Sequence, residues 1–181
     1  MLTKAVSKNI SSRTPSKIKG MTFLEVLVAL FIIVTGILGA VALEGVAKRN
    51  SYDAMQRSVA TSLAQDIIER MRNNETALND YVGNFGSKGL TKPTICKLAV
   101  SCTAAQIKDQ DLYEWEQALI GANASGAGGL LSATGCIEHT LNAVTITISW
   151  QGRTETSDGG TGDCGAANNT RRQLVVEGFV F

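Results

Sequence analysis

From Met21 to Leu43 the chain runs 23 residues with one charged side chain, Glu25. No other feature narrows the fold as far. Some 20 apolar residues at ~1.5 Å of helical rise each span a hydrocarbon layer of ~30 Å, so the stretch predicts a membrane-length helix. Residues 1–20 carry Lys4, Lys8, Arg13, Lys17 and Lys19, no acid, and end on Gly20. The whole chain is net +1 and this leader contributes +5, leaving −4 on everything after it. The basic character therefore belongs to the leader alone. It offers no electrostatic case for nucleic acid, and it places the N-terminus on the cytoplasmic side.

Three readings of the run compete. A cleaved secretory signal has support in the basic leader and in "AVA" at Ala40–Ala42. The run, however, exceeds the ~7–15 residues of an ordinary signal core, and the chain beyond Ala42 continues in a helical pattern. A plain single-pass anchor explains the topology and leaves Glu25 unexplained, unless the carboxylate simply reaches interfacial water. In the apolar layer it costs roughly 2.5–3.5 kcal/mol at the centre, less near the interface. The third reading joins leader, glycine and carboxylate. Cleavage after Gly20 makes Met21 a new positive terminus, one helical turn before Glu25. Between packed subunits, the Glu25 of one chain and the terminal ammonium of the next would then fix an axial register. Removing one partner of such a buried pair costs roughly 3–5 kcal/mol.

The residues that carry this reading, "KG" followed by "MTFLEVLVALFIIVTGILG", resemble the class III signal of type IV pilins and of the pseudopilins of type II secretion. The resemblance covers residues 13–45. It implies that prepilin peptidase cleaves between Gly20 and Met21, that Met21 becomes N-methylated, and that Glu25 serves subunit register during assembly. The chain departs from many major pilins in one respect: they place a proline near what is here Ala42, whereas the only prolines here are Pro15 and Pro93. Gly36, Gly39 and Gly45 are the weak points instead, serving either close helix packing or a flexible segment.

Beyond the run, Tyr52, Met55, Val59, Leu63, Ile67 and Met71 recur at three- and four-residue steps, the stripe of an amphipathic helix. Thr22 to about Asn74 thus reads as one helix of ~53 residues, ~80 Å long, whose second half packs on a globular head. Residues 75–95 carry Gly83, Gly86, Gly89 and Pro93 and read as loop. "DQDLYEWEQALIGAN" reads as a short helix with Asp109 or Asp111 as N-cap, Leu112, Trp115 and Leu119 inward, and Glu114 and Glu116 solvated. Ala124–Gly129 reads as a hinge. Three strands follow: "GCIEHTL", "AVTITISW" and "RQLVVEGFVF". The turn "LNA" joins the first two, a bulge is expected at Gly178, and a long polar loop at 154–169 precedes the last strand. The expected fold is α+β and pilin-like, a long N-terminal helix packed on a small antiparallel sheet with a second short helix.

Four cysteines lie after the apolar run, at Cys96, Cys102, Cys136 and Cys164. Their spacing does not match paired zinc ligands, and an even count beyond an export signal favours two disulfides. Three pairings are open, and proximity along the chain favours Cys96–Cys102 with Cys136–Cys164. No catalytic constellation is visible. His139 is the only histidine and reads as a packing or surface residue. Asp158 and Asp163 supply too few oxygens for a calcium site. The chain is read as a non-enzyme with no cofactor and no metal.

"DLYEWEQAL", the strand ending "TISW" and the final strand behind Arg171-Arg172 resemble the PilV type of minor pilin. That resemblance implies a cleaved leader (1–20), a membrane or filament-core half-helix (21–43), an amphipathic half (44–74) and a periplasmic head (75–181). It implies as partners other minor pilins, the major pilin, prepilin peptidase and the inner-membrane assembly platform. The location would be the bacterial inner membrane and then the pilus at the cell surface. Two rivals stand beside it, a minor pseudopilin of type II secretion and a membrane-anchored periplasmic binding or adhesive domain.

Overall fold

A computed structural model describes residues 20–86, 89–93, 101–122, 129–156 and 163–180. The chain divides into two compact units, Met1–Gly45 and Val46–Phe181. Helix α1, Phe23–Arg72, has 50 residues and belongs to both. It is a helix long and apolar enough to cross a membrane by length and composition. In the first unit every described helical residue is exposed, so nothing among the described residues covers that apolar surface.

The second unit is the head. After α1 come a 3-10 segment (Glu75–Tyr81), strand β1 (Gly83–Phe85), helix α2 (Ala104–Ile120) and strands β2 (Thr134–Thr140), β3 (Ala143–Gln151) and β4 (Arg171–Phe179). The sheet is antiparallel throughout in the order β1-β2-β3-β4. β1 was unexpected, because Gly83 and Gly86 read as turn residues. It pairs over three positions, Gly83 with Ile137 through Phe85 with Gly135, too short for an alternating pattern to register.

β3 builds the core. Val144, Ile146, Ile148 and Trp150 point to one side and are fully buried, as the alternation predicted. Each large apolar side chain removed from water contributes about 1.5–3 kcal/mol. β2 and β3 meet at Thr140 and Ala143, so Leu141 and Asn142 form the expected hairpin turn. β4 corrects the sequence reading: it pairs without a bulge from Arg171 to Phe179. Leu174, Val176, Gly178 and Val180 keep one period. A Cβ at Gly178 would lie 3.1 Å from Ile68 Cδ1, so this glycine lets the strand approach α1. With no bulge to shift the phase, Phe179 faces out.

The inward face of α1 also shifts. Gln56, Ala60, Ala64, Ile67, Ile68 and Met71 are buried, while Val59 and Leu63 only flank the core and Met55 is exposed. Small residues form the seam because two tryptophans fill it. Trp150 Nε1 donates to Gln56 Oε1 at 3.2 Å, and Trp115 Nε1 donates to the Leu63 carbonyl at 2.8 Å. Trp115 also meets Phe85 edge-on, with centroids 5.8 Å apart. Gly135 clears its ring, since a Cβ there would lie 2.4 Å from Trp115 Cη2.

Candidate assembly site

α1 opens on Thr22, the residue before its first helical position. The Glu25 amide donates to Thr22 Oγ1 at 3.3 Å and to the Thr22 carbonyl at 3.0 Å. "TFLE" is thus the first half of a capping box, a signal the sequence carried and the stripe-based reading passed over. The reciprocal half is not made. The Glu25 carboxylate holds no hydrogen bond or ion pair to any described residue. It lies in the first turn, where the free amides favour negative charge. Met21, four residues earlier, is 70% exposed and Gly20 is exposed as well. The structure therefore brings Gly20, Met21 and Glu25 into one short stretch with the acid unspent.

Deeper in the apolar stretch, Thr35 Oγ1 donates to the Phe31 and Ile32 carbonyls at 2.9 and 3.0 Å. Its hydroxyl needs no outside partner in an apolar setting. Gly36, Gly39 and Gly45 lie within continuous helix, and a Cβ at any of them would meet nothing within 4 Å.

In the head, a polar cluster joins α1, the 3-10 segment and α2. Arg70 bonds Asp66 at 3.0 Å, Asp111 at 3.0 Å and Glu114 at 2.9 Å. Burial alone would lower the Arg70 pKa, and the three carboxylates overturn that and raise it, Glu114 foremost. Tyr81 donates to Asp111 Oδ2 at 2.7 Å, and burial followed by that bond raises the phenol pKa. Gln110 and then Arg70 lower the pKa of Glu114 against the opposing effect of burial. Asn74, expected only to end α1, is buried and donates to Tyr81 Oη at 3.1 Å and to the Ala104 carbonyl at 2.9 Å.

Helix α2 corrects three expectations. Its N-cap is Thr103, neither Asp109 nor Asp111. Thr103 and Gln106 form a complete capping box, with the Thr103 amide donating to Gln106 Oε1 at 3.0 Å and the Gln106 amide to Thr103 Oγ1 at 3.3 Å. The helix therefore begins earlier than its charged stretch suggested. Glu114 is ion-paired. Glu116, expected in solvent, is only 2% exposed and accepts from the Gly86 amide at 2.7 Å and from the Leu90 amide. It closes the backbone of the segment after β1, which a sequence pattern cannot show. Leu112, Trp115 and Leu119 do face inward.

Cys136 and Cys164 form a disulfide with Cα atoms 5.9 Å apart. It ties the loop before β4 to β2, and Ser149 Oγ donates to the Cys164 carbonyl at 2.6 Å beneath it. Cys102 is also disulfide-bonded. Cys96 lies outside the described residues, as do Asp158 and all of the expected hinge except Gly129. Gly129 is packed rather than free: a Cβ there would lie 2.3 Å from the Gly121 amide nitrogen.

Arg171 and Arg172, adjacent on β4, have opposite surroundings. Arg172 pairs with Asp53 of α1 at 2.8 Å. Arg171 is buried among neutral groups, bonding Ser149 Oγ at 2.8 Å and Thr134 Oγ1 at 3.0 Å, and burial lowers its pKa. His139 Nδ1 lies 3.0 Å from Asn79 Oδ1, and its buried Nε2 has no partner among the described residues. Among the described residues no group of three or more His, Cys, Asp or Glu side chains is placed to hold a metal ion.

A family model described as Tt1218-like, type IV pilin Tt1218, matches residues 42–113. The match covers the head's share of α1, the 3-10 segment, β1 and most of α2. It lies outside the Gly20–Glu25 stretch, so the two lines of support are independent. No curated protein and no solved structure matches the chain.

Proposed function

We propose that this chain, which is type IV pilin-like, is a minor pilin of the PilV type, a non-enzymatic structural subunit that primes or joins pilus assembly. Prepilin peptidase would cut between Gly20 and Met21, and Met21 would carry the N-methyl group. The apolar half of α1 would hold the subunit in the inner membrane with its head in the periplasm, until the assembly platform moves it among other pilins. One observation carries the reading: a carboxylate in the first turn of a membrane-length helix has no partner among the described residues of its own chain. In a filament core, the Met21 ammonium of a neighbouring subunit supplies that partner. A buried charge of this kind selects register, because a subunit out of step leaves it unpaired at a cost of roughly 3–5 kcal/mol.

The test is Glu25→Val in the full chain. Insertion and leader removal should remain as in the parent, read by intact mass, while incorporation into sheared filaments should fall to background. Unchanged incorporation would end the register argument. A minor pseudopilin would use the same helix and head. A deletion strain that keeps its surface pili and loses exoprotein secretion would establish that alternative.

A further inference from the structure

A cleft of about 490 Å3 opens in the head. Tyr52 and Gln56 of α1 form one wall, Ile120 and Leu131 another, and Arg153, just beyond β3, lies at the rim. The second wall is anchored. The Leu130 amide donates to the Leu119 carbonyl at 2.9 Å, and the Gln151 amide to the Leu131 carbonyl at 2.8 Å. Leu131 is nonetheless 57% exposed. Its neighbour Ser132 holds a left-handed φ of 47°, a cost that proteins concentrate at binding sites.

Two donors line this cleft unspent. Gln56 is 5% exposed, its carbonyl oxygen is taken by Trp150, and its amide nitrogen has no partner among the described residues. Arg153 stacks over the Tyr52 ring at 4.2 Å and pairs with no carboxylate among the described residues. Donors beside an apolar lip fit a carboxylate flanked by apolar side chains. The chain itself displays such a surface. On the sheet face turned away from α1, β4 presents Val175, Glu177 and Phe179 in alternation, all exposed. Glu177 makes no ion pair with a described residue. Its row on β3 is Thr145, six residues from Gln151 at the cleft, or ~20 Å along the strand. Cleft and patch are therefore separate surfaces of one head.

We propose that the Arg153 cleft docks the Glu177 face of a second copy of this chain. Phe179 packs against the Leu131 lip, and the Glu177 carboxylate meets the Arg153 guanidinium. An aromatic anchor beside a rim ion pair is how protein interfaces divide affinity from orientation. The two surfaces differ, so each copy keeps one of each unused, and such contacts extend into open arrays instead of closing into pairs. The inference rests on the subunit reading and adds to it a head contact independent of Glu25.

Two differently tagged full-length copies are co-expressed, one with a photo-crosslinking residue in place of Leu131. Light should yield an adduct joining both tags, with the crosslinked peptide from Arg171–Phe179. R153E or E177R alone should cut the yield at least ~10-fold, equivalent to about 1.4 kcal/mol. Carrying both in every copy should restore it, because the charges are then exchanged. Arg153 and Glu177 are exposed, so neither change threatens the fold. No adduct, an adduct elsewhere, or a double variant as poor as the singles overturns the docking. Processed chain in filaments without the adduct refutes the docking alone. The adduct with chain absent from filaments supports the docking and refutes the subunit role.

Discussion

Between Phe23 and Gly45 no residue of α1 is buried, and between Val46 and Arg72 six are. Both stretches are helix, yet their stability has different origins. The first is apolar on nearly every side, so its backbone is satisfied internally while its side chains stay exposed among the described residues. The second presents a narrow seam of Ala60, Ala64, Ile67 and Met71 to a core of the same chain. The difference teaches that one element can be divided by its solvent. The head buries a core of its own, and the apolar half leaves its side chains uncovered among the described residues.

The sharpest way to break this comparison is to delete one large side chain from each region. Trp115→Ala removes a fully buried ring and its bond to Leu63, and should cost about 3–5 kcal/mol of head stability. Phe31→Ala, which removes an exposed ring, should move the same melting transition by less than ~0.5 kcal/mol. Thermal melts in detergent, followed by tryptophan fluorescence, would check both, and equal effects would erase the distinction between the units.

A smaller effect is expected from the clamp. Replacing Cys136 and Cys164 by alanine opens a bridge between residues 28 apart, and should lower head stability by about 2–4 kcal/mol with insertion unaffected. Denaturant unfolding beside a membrane-fractionation assay separates the two outcomes.

The smallest effect is in the pH dependence, and it belongs to the head alone. The folded state holds the Tyr81 proton above the ordinary phenol value of 10. The unfolded chain releases it first, so stability is full below pH 10 and declines as pH climbs toward the folded value. Glu114 runs the other way. Its pKa lies below the usual 4.5, so its contribution is present above that pH and fades as pH falls through the folded value. Its side chain is substantially exposed, which limits the effect to a few tenths of a kcal/mol. Phenolate absorbance should show a component titrating late, above the ordinary phenol range, and lose it in Tyr81→Phe. A late component that survives the substitution, or none at all, would remove Tyr81 from the cluster.

Period and punctuation made much of this molecule legible in advance. The apolar run, the alternation of Val144 to Trp150, the hairpin at Leu141-Asn142 and the inward face of α2 all depend on residues close in sequence. "TFLE" and "TAAQ" were equally local, yet neither was read as a capping signal, and the second N-cap was expected at Asp109 or Asp111 instead of Thr103. β1 escaped because three residues flanked by glycine carry no period. The bulge expected at Gly178 failed because the missing side chain was taken for a break in phase, whereas it is the point where the strand meets Ile68.

By itself the sequence determined that a membrane-length helix begins with a lone acid and continues into an amphipathic half, since composition and spacing act through the chain's own solvent preferences. Only the tertiary structure decided which face of that second half is buried, because the answer depends on where Trp115 and Trp150 arrive from distant segments. It likewise turned Glu116 from an expected surface acid into a buried acceptor of two loop amides. It also gave Arg171 and Arg172 opposite surroundings. A charge is placed by the groups that reach it in space, and those groups lie tens of residues away along the chain.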